Sequence, residues 1–313
     1  MVLGTGGTIA GRSALRADNI HYTAAQLGID VLAATIPGLS ENLQGHNLEL
    51  AQLAQVDSKD MDSAVWVRLA RRTAQALAQS DVRGVVITHG TDTIEETAFF
   101  LQSVLPADKP VVLTCAMRPA TALSPDGPQN LLDALTLVMT PQARGVMVVC
   151  AGVVHAPTHV QKIHPYRLDA FSSGEAGPLA WVEAAQVRWA GADLTAAKPL
   201  WDVNALPDSG AWPPVEIVLN HAGATGAVVN ALVQSGVRGI VAAGTGNGTL
   251  SQSLEAALRQ AMASGVQVLR TTRCLLGQVI APSDADLPVA KGLSPVKARV
   301  ALQLSLMGLP PAP

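Results

Sequence analysis

Aromatic residues are scarce in this chain, where phenylalanine, tryptophan and tyrosine together make up 3% of 313 residues. Charged residues are also few, at 14%, and the formal net charge is only −3. A protein that binds nucleic acid usually carries a basic surface, often with aromatic side chains on which bases stack. The composition therefore argues against a nucleic-acid partner.

Long hydrophobic runs are missing as well, since no apolar stretch reaches the roughly 18 residues of a membrane-spanning helix. Residues 1–20 lack the basic start and apolar segment of a signal peptide, so we expect a cytoplasmic protein with no membrane partner. The few cysteines, Cys115, Cys150 and Cys274, lie far apart in apolar, strand-like runs. Their spacing fits neither zinc nor a disulfide framework and predicts buried, reduced thiols.

Hydrophobic residues make up 49% of the chain, and their pattern alternates between two periods. Short β-branched runs at 84–88, 110–114 and 145–151 read as buried strands. Helical patterns cover 62–79, 93–104 and 128–139. Strands and helices that alternate in this way predict an α/β fold with a parallel sheet.

The periodicity is lost in residues 191–214, which are rich in proline, glycine and aspartate. The alternation then restarts with strand-like runs at 216–220, 239–244 and 266–271 and helical patterns at about 225–235, 251–264 and 295–308. We therefore predict a larger N-terminal α/β domain (1–190), a linker (191–214) and a smaller C-terminal α/β domain (215–313).

Glycine-rich turns occur at Gly4–Gly7 and at 244–248, and both resemble a dinucleotide-binding fingerprint. The fingerprint requires a glycine at its last position, which is Ile9 in the first turn and Thr249 in the second. Neither turn continues into the Gly-Lys-Ser/Thr of a phosphate-binding loop. The sequence thus argues against a nucleotide cofactor.

Polar residues follow two of the predicted strands: Thr8 the first strand, and Thr91 and Asp92 the strand at 84–88. Ligands of parallel sheets bind beyond the carboxyl ends of the strands, so these side chains share a crevice if the two strands are neighbours. Hydroxyls, a carboxylate and glycine amides there favour nucleophilic acyl transfer. An equally weighted alternative is a helix capping box made by Asp92 and Glu95.

A threonine hydroxyl becomes a good nucleophile only when a base takes its proton. Lys162 is one candidate, because a desolvated lysine changes its charge state readily. His89, inside the sequence HGTDT, is the residue type ordinarily favoured as a base. Spacing alone leaves both open.

Two long motifs, TGGTIAG at 5–11 and THGTDTIEETAFFL at 88–101, resemble the signature stretches of the bacterial-type L-asparaginases, which include the glutaminase-asparaginases. Further agreement lies in SKDM at 58–61, CAMRPATALSPDGPQNLLDA at 115–134, GTGNGTL at 244–250 and PVKARVALQLSL at 295–306. The resemblance covers nearly the whole chain in order. It implies a two-domain α/β fold, a homotetramer built of intimate dimers, and hydrolysis of L-asparagine to aspartate and ammonia without metal or cofactor, with glutamine as a minor substrate.

The resemblance also implies roles for individual residues. Thr8 matches the threonine that attacks the substrate amide, and Tyr22 matches its tyrosine partner on a mobile loop. Thr91, Asp92 and Lys162 match the second catalytic group, which we expect to contain a buried Lys162–Asp92 pair.

Substrate contacts are implied for a further set: the side chains of Ser58 and Asp92, the amides of Gly7 and Thr91, and the carbonyl of Ala116. An acid from a neighbouring subunit is implied too, with Asp284 as the matching residue and Asp286 as the alternative. His89 takes a structural role in this interpretation.

The chain departs from the family pattern on both sides of Ser58. Asp57 stands where the family usually has glycine or alanine, and Lys59 stands where it usually has glutamine or glutamate. We expect Lys59 to place a cation near the substrate and to narrow the pocket. A second hypothesis, a non-catalytic amino-acid-binding protein, is disfavoured because the matching catalytic residues are intact.

Overall fold

The main sheet orders its eight strands as β12-β11-β8-β7-β6-β5-β1-β4 within the residues that the computed structural model describes, which are 1–36, 38–43, 45–106, 108–191, 198–281 and 286–312. Its strands are β1 Val2–Gly6, β4 Leu50–Val56, β5 Val85–Thr88, β6 Pro110–Thr114, β7 Gly145–Cys150, β8 Val153–His155, β11 Ala180–Glu183 and β12 Gln186–Trp189. Two short ladders lie outside it: β2 Arg12–Ser13 with β3 Tyr22–Thr23, and β9 Gln161–Lys162 with β10 Phe171–Ser172.

Strand β1 lies between β4 and β5 and is parallel to both, with Gly4 opposite Gln52 on one side and Thr88 on the other. Strands β6 and β7 continue the parallel order. The first strand and the strand at 84–88 are therefore neighbours, which was the condition for Thr8 to share a crevice with Thr91 and Asp92. The loops after β1, β5 and β6 all leave from one edge of the sheet, where ligands of parallel sheets bind.

Helices cover this sheet: α1 Ile29–Ala34, α2 Leu39–Asn42, α3 Ser63–Leu77, α4 Ile94–Val104 and α5 Gly127–Met139. Helix α3 has the amphipathic character that its sequence period predicts. Trp66, Leu69 and Ala70 are buried on one stripe, and Arg68 is exposed. Its N-cap is Asp62, whose carboxylate accepts the Val65 amide at 2.8 Å. No helix among the described residues is long and apolar enough to cross a bilayer.

The sheet ends in antiparallel strands that the α/β pattern did not predict. Strand β8 runs antiparallel to β7, β11 to β8, and β12 to β11. The β11–β12 turn consists of Ala184 and Ala185, which have φ angles of 48° and 59°. Positive φ at both positions is typical of a type I′ hairpin turn.

The C-terminal part of the chain contains a parallel three-stranded sheet in the order β13-β14-β15. Its elements are β13 Val215–Leu219, α6 Ala227–Gln234, β14 Gly239–Gly244, α7 Gln252–Ala263, β15 Gln267–Thr272 and α8 Pro295–Leu306. One face packs on α6 and α7 through Ile240, Leu254 and Leu258, and α8 packs through Leu302 against Val215 and Val241.

The chain divides into two units, one of Met1–Leu206 with Pro311–Pro313 and one of Pro207–Pro310. Within the segment 191–214, the residues from 198 to Leu206 belong to the first unit, where Val203 and Leu206 are buried. Arg71 of α3 donates to the Leu206 carbonyl at 2.7 Å. The C-terminus returns to the first unit through a β-bridge between Trp201 and Pro311.

The cysteines are free, but they differ in exposure. Cys115 and Cys150 are buried at the ends of β6 and β7, as predicted. The prediction is wrong for Cys274, which is exposed because β15 ends at Thr272, two residues earlier.

Candidate active site

Thr8 lies immediately beyond β1, at the start of a short 3-10 helix, Thr8–Ala10. The preceding residue, Gly7, has a φ of 81°, a conformation that turns the chain sharply at the end of the strand. The Thr8 hydroxyl lies 2.7 Å from the phenolic oxygen of Tyr22, and Thr8 is only 7% exposed. The structure therefore brings together the two residues matched to the first catalytic group.

Tyr22 belongs to a lid hairpin, which we define as residues 12–23 and which includes β2 and β3. The turn of the lid hairpin is ordered by Asp18, whose carboxylate accepts the amides of Ile20 and His21 at 2.9 Å each. Gly11 makes room for the Tyr22 ring, because a Cβ on Gly11 would lie 2.9 Å from a ring carbon. These contacts set the phenol against Thr8.

Lys162, on β9, connects the residues of the second group. Its ammonium donates to the Thr91 hydroxyl at 2.7 Å and to the Asp92 carboxylate at 2.6 Å. The Thr91 hydroxyl lies 3.4 Å from the same carboxylate oxygen. The expectation of a buried pair is only half met, because the Lys162 side chain is 17% exposed but that of Asp92 is 53% exposed. Asp92 faces solvent because it lies on the loop beyond the end of β5.

The capping-box interpretation of Asp92 and Glu95 is wrong. Helix α4 begins at Ile94, and its N-cap is Thr93, which makes no side-chain capping hydrogen bond. The Thr93 hydroxyl instead donates to the Ser58 carbonyl at 2.8 Å. Glu95 accepts the backbone amide of Lys162 at 3.4 Å. Thr93 therefore connects the loop after β5 to Ser58, and Glu95 connects the start of α4 to Lys162. Both contacts support the group of Thr91, Asp92 and Lys162.

Ser58 lies in a 3-10 helix, Ser58–Asp60, directly beyond β4. It is 2% exposed, and its hydroxyl accepts the Asp92 amide at 3.2 Å. The neighbouring Lys59 ammonium lies 2.6 Å from Asp57 and 3.4 Å from Asp60, with 62% of its side chain exposed. The cation beside Ser58 is therefore engaged by carboxylates on both sides.

His89 is buried in a hydrogen-bonded chain. The Trp66 indole donates to the Thr97 hydroxyl at 2.8 Å, and that hydroxyl lies 2.9 Å from His89 Nε2. Because the Gly90 carbonyl can only accept, His89 Nδ1 donates to it at 2.8 Å, and Nε2 of the neutral ring accepts the hydrogen of the Thr97 hydroxyl. Burial disfavours the imidazolium and lowers the pKa of His89 to about 4. Both ring nitrogens are thus occupied, which favours Lys162 over His89 as the catalytic group.

Sequence reasoning missed the side chains that shape the turn beyond β6, where the buried Ala116 lies. Asp126 accepts the amides of Met117 and Arg118 at 2.9 Å each. Asn130 donates to the Cys115 carbonyl at 2.9 Å. The signal was the sequence SPDGPQN, in which an aspartate precedes a helix whose first turn contains proline.

Three further predictions about substrate contacts concern Gly7, Asp284 and Asp286. The Gly7 amide donates to the Val56 carbonyl at 2.9 Å, so in this structure it is engaged and does not face the site as a donor. Asp284 lies outside the described residues. Asp286 is paired with Arg259 of α7 at 2.6 Å.

Comparison with known proteins identifies the family of the chain. Residues 1–194 match the N-terminal asparaginase family model, and residues 214–308 match the model of the glutaminase/asparaginase C-terminal domain. The chain belongs to the asparaginase family. It is an enzyme of that family with the family's two-domain α/β architecture.

Among its relatives, L-asparaginase 2 of Escherichia coli is 38% identical over 97% of this chain and 88% of that protein. Glutaminase-asparaginase of Pseudomonas fluorescens is 36% identical over 98% of this chain and 85% of that protein. The crystal structure of a probable cytoplasmic L-asparaginase from Campylobacter jejuni superimposes with a TM-score of 0.91 at 37% identity, covering 98% of this chain and 94% of that one.

Proposed function

We propose that this asparaginase-family enzyme hydrolyses L-asparagine to L-aspartate and ammonia, with Thr8 as the nucleophile. The observation that carries the proposal is the 2.7 Å contact between the hydroxyls of Thr8 and Tyr22 at the carboxyl end of β1. The Lys162–Thr91–Asp92 group beyond the neighbouring strand supports it.

In the first half-reaction, the Thr8 oxygen attacks the carbonyl carbon of the side-chain amide and forms a C–O bond. The hydroxyl proton passes by way of the Tyr22 phenol to the amide nitrogen, the C–N bond breaks, and ammonia leaves. The product is an aspartyl ester of Thr8. The Thr91 amide is our candidate donor to the developing oxyanion, since the Gly7 amide is engaged by Val56.

In the second half-reaction, water adds to the ester carbonyl, the C–O bond to Thr8 breaks, and Thr8 regains its proton. Thr91 is suited to orient this water, because Lys162 fixes the position of its hydroxyl oxygen at 2.7 Å. Lys162 also holds Asp92, whose half-exposed carboxylate can receive the ammonium group of the substrate. Ser58, which fixes the Asp92 backbone, takes the α-carboxylate in this proposal, and the Ala116 carbonyl takes a further polar contact.

Glutamine is proposed as a minor substrate, because one additional methylene in a fitted pocket is discriminated by only about 10–200-fold. Ammonia release from the L- and D-forms of asparagine and glutamine tests the substrate class. Comparable catalytic efficiencies on the two L-amides would contradict the proposed preference.

Replacement of the nucleophile tests the mechanism. Thr8→Ala is expected to lower kcat by several orders of magnitude while the protein still folds and binds aspartate. Thr8→Ser is the matched control, since it keeps a hydroxyl and should retain measurable turnover. A Thr8→Ala protein that keeps a tenth of the activity would remove Thr8 from the mechanism. A wild-type protein that binds asparagine and releases no ammonia would favour a binding protein instead.

We also propose that the enzyme is cytoplasmic and acts as a homotetramer of intimate dimers, with Asp284 reaching the site of a neighbouring subunit. Light scattering measures the assembly, and cell fractionation measures the location.

For the site shared between subunits, Thr8→Ala and Asp284→Ala proteins are mixed and re-annealed. Because a hybrid dimer gathers both lesions in one site and leaves the other intact, activity at low substrate should rise. No rise despite verified subunit exchange would exclude Asp284 from this role.

A further inference from the structure

The lid hairpin and the preceding residue, Gly11, are fastened to the segment 119–123, which follows the turn beyond β6. The Ala120 amide donates to the Gly11 carbonyl at 3.0 Å, and the Leu123 amide donates to the Arg16 carbonyl at 3.0 Å. Between these two backbone contacts lies Thr121. Its hydroxyl accepts the Ser13 amide at 2.8 Å and lies 3.3 Å from the Ser13 carbonyl, to which it donates.

Thr121 is a half-buried residue whose side chain both accepts from and donates to one residue of the lid hairpin. The flanking contacts at Ala120 and Leu123 are made by backbone atoms and do not depend on the identity of the side chain. A substitution that removes the Thr121 hydroxyl therefore removes two hydrogen bonds to the lid hairpin and leaves the flanking contacts in place.

Ser13 transmits this contact directly to the catalytic tyrosine. In the β2–β3 ladder, Ser13 is the partner of Tyr22, and Tyr22 in turn touches Thr8. A continuous path of hydrogen bonds and strand pairing thus runs from Thr121 through Ser13 and Tyr22 to Thr8.

Hydrophobic burial contributes little to the position of the lid hairpin. Its two large apolar side chains point outward, with Leu15 68% exposed and Ile20 69% exposed. A segment with few buried apolar contacts opens at low free-energy cost. The polar contacts at its base therefore decide how often it is closed.

We propose that Thr121 is a positioning residue, a latch that holds the lid hairpin where Tyr22 can reach Thr8. The expected effect of the latch on KM rests on the proposed function, but its restraint of the lid hairpin does not. When only the closed form binds substrate productively, the apparent affinity falls in proportion to the closed fraction. Loss of the latch should therefore raise KM more than it lowers kcat.

The test compares Thr121→Val, which keeps the shape and loses the hydroxyl, with Thr121→Ser, which keeps the hydroxyl. Thr140→Val is the matched control, because Thr140 is also half-buried and its hydroxyl donates to the Thr136 carbonyl of α5. The first readout is tryptic cleavage after Arg16, an exposed residue of the lid hairpin. The second is the separate change in KM and kcat for asparagine.

We expect Thr121→Val to be cleaved about five- to tenfold faster than wild type and to show a similar rise in KM, with kcat within about twofold. Thr121→Ser and Thr140→Val should resemble wild type in both readouts. Thr121→Ala serves as a second variant if the valine protein folds poorly. The proposed role of Thr121 would be contradicted if Thr121→Val left both the cleavage rate and KM unchanged. A loss of kcat that follows a loss of melting temperature would contradict it as well.

Failure of the proposed function gives a different pattern. A wild-type protein that releases no ammonia would overturn the reaction. The cleavage rates of the same variants would still decide whether Thr121 restrains the lid hairpin.

Discussion

Gly7 and Gly90 lie so close together that a Cβ atom on Gly7 would overlap the Cα and N atoms of Gly90. A Cβ on Gly90 would in turn meet the Gly7 Cα at 3.1 Å and the side chain of Ser58. These two glycines precede Thr8 and Thr91, respectively. Their contact is what brings the turns that carry the two proposed catalytic groups against each other.

Gly7→Ala should therefore damage both stability and activity. Overpacking against a backbone costs about 1–3 kcal/mol, and the φ of 81° adds strain for a residue with a side chain. We expect a loss of about 2–4 kcal/mol in the free energy of unfolding and about a hundredfold loss in kcat, because a displacement of about 1 Å is costly in catalysis.

Urea unfolding and an ammonia assay measure the two effects. Gly210→Ala is the control, since no atom beyond the adjacent residues lies within 4 Å of the position of its Cβ. The control should stay within about 0.5 kcal/mol of wild type. A Gly7→Ala protein with wild-type stability would show that the two turns can separate without cost.

The central strands and long helices could be predicted because they are buried and strongly periodic. Strand β5 and helix α3 lie within two residues of their predicted ends. The edge strands could not be predicted in the same way. The β11–β12 turn uses Ala184 and Ala185 at positive φ, without the Asn-Gly signal of such turns. Strand β4 is built largely of alanine and glutamine, which have no strong preference for strands.

The site was predictable in composition but not in its electrostatic details. The rule that ligands bind at the carboxyl ends of parallel strands places Thr8 and Thr91 at one edge of the sheet, and the pairing of β1 with β5 makes them neighbours. The exposure of Asp92 and the partners of His89 depend on residues distant in sequence, such as Lys162, Trp66 and Thr97. No local pattern encodes those contacts.

Lys162→Met is expected to remove activity at little cost in stability. The sequence-based expectation of a buried pair implied a loss of about 3–5 kcal/mol. Because the Asp92 side chain is 53% exposed, its carboxylate stays solvated without its partner, and a loss near 1 kcal/mol is expected instead. We expect kcat to fall at least a hundredfold, since the hydroxyl of Thr91 loses the donor that fixes it.

Lys109→Met provides the control, because Lys109 donates to a backbone carbonyl, that of Gln79, and lies outside the site. Thermal unfolding and steady-state kinetics separate stability from turnover. A large loss of stability in Lys162→Met would restore the interpretation of a buried pair, and full activity would remove Lys162 from the mechanism.

Lys59 is expected to matter less for specificity than its place in the sequence suggests. Its ammonium is engaged by Asp57 at 2.6 Å and by Asp60, and the side chain is largely exposed. Exposed pairs of this kind contribute little because solvent screens their attraction. Lys59→Gln should therefore change the ratio of kcat/KM for asparagine and glutamine by less than about fivefold. A tenfold or larger shift would show that the cation reaches the substrate.

His89 should make the stability of the protein depend on pH. Burial lowers its pKa to about 4 from an ordinary value near 6.5, so the unfolded chain binds a proton more readily than the folded one between these values. The contribution of His89 is then fully present above about pH 6.5 and is lost as the pH falls towards 4. The difference of about 2.5 pH units corresponds to roughly 3 kcal/mol.

His89→Gln removes this titration while keeping an oxygen that can accept from Thr97. The variant should be less stable than wild type at neutral pH, and its free energy of unfolding should fall less steeply between pH 6.5 and 4. Urea unfolding across that range measures the slope, and His46→Gln, at an exposed position, should leave it unchanged. Equal slopes for wild type and His89→Gln would mean that the folded protein accepts the imidazolium. In that case the hydrogen-bonded chain from Trp66 through Thr97 would not keep His89 neutral.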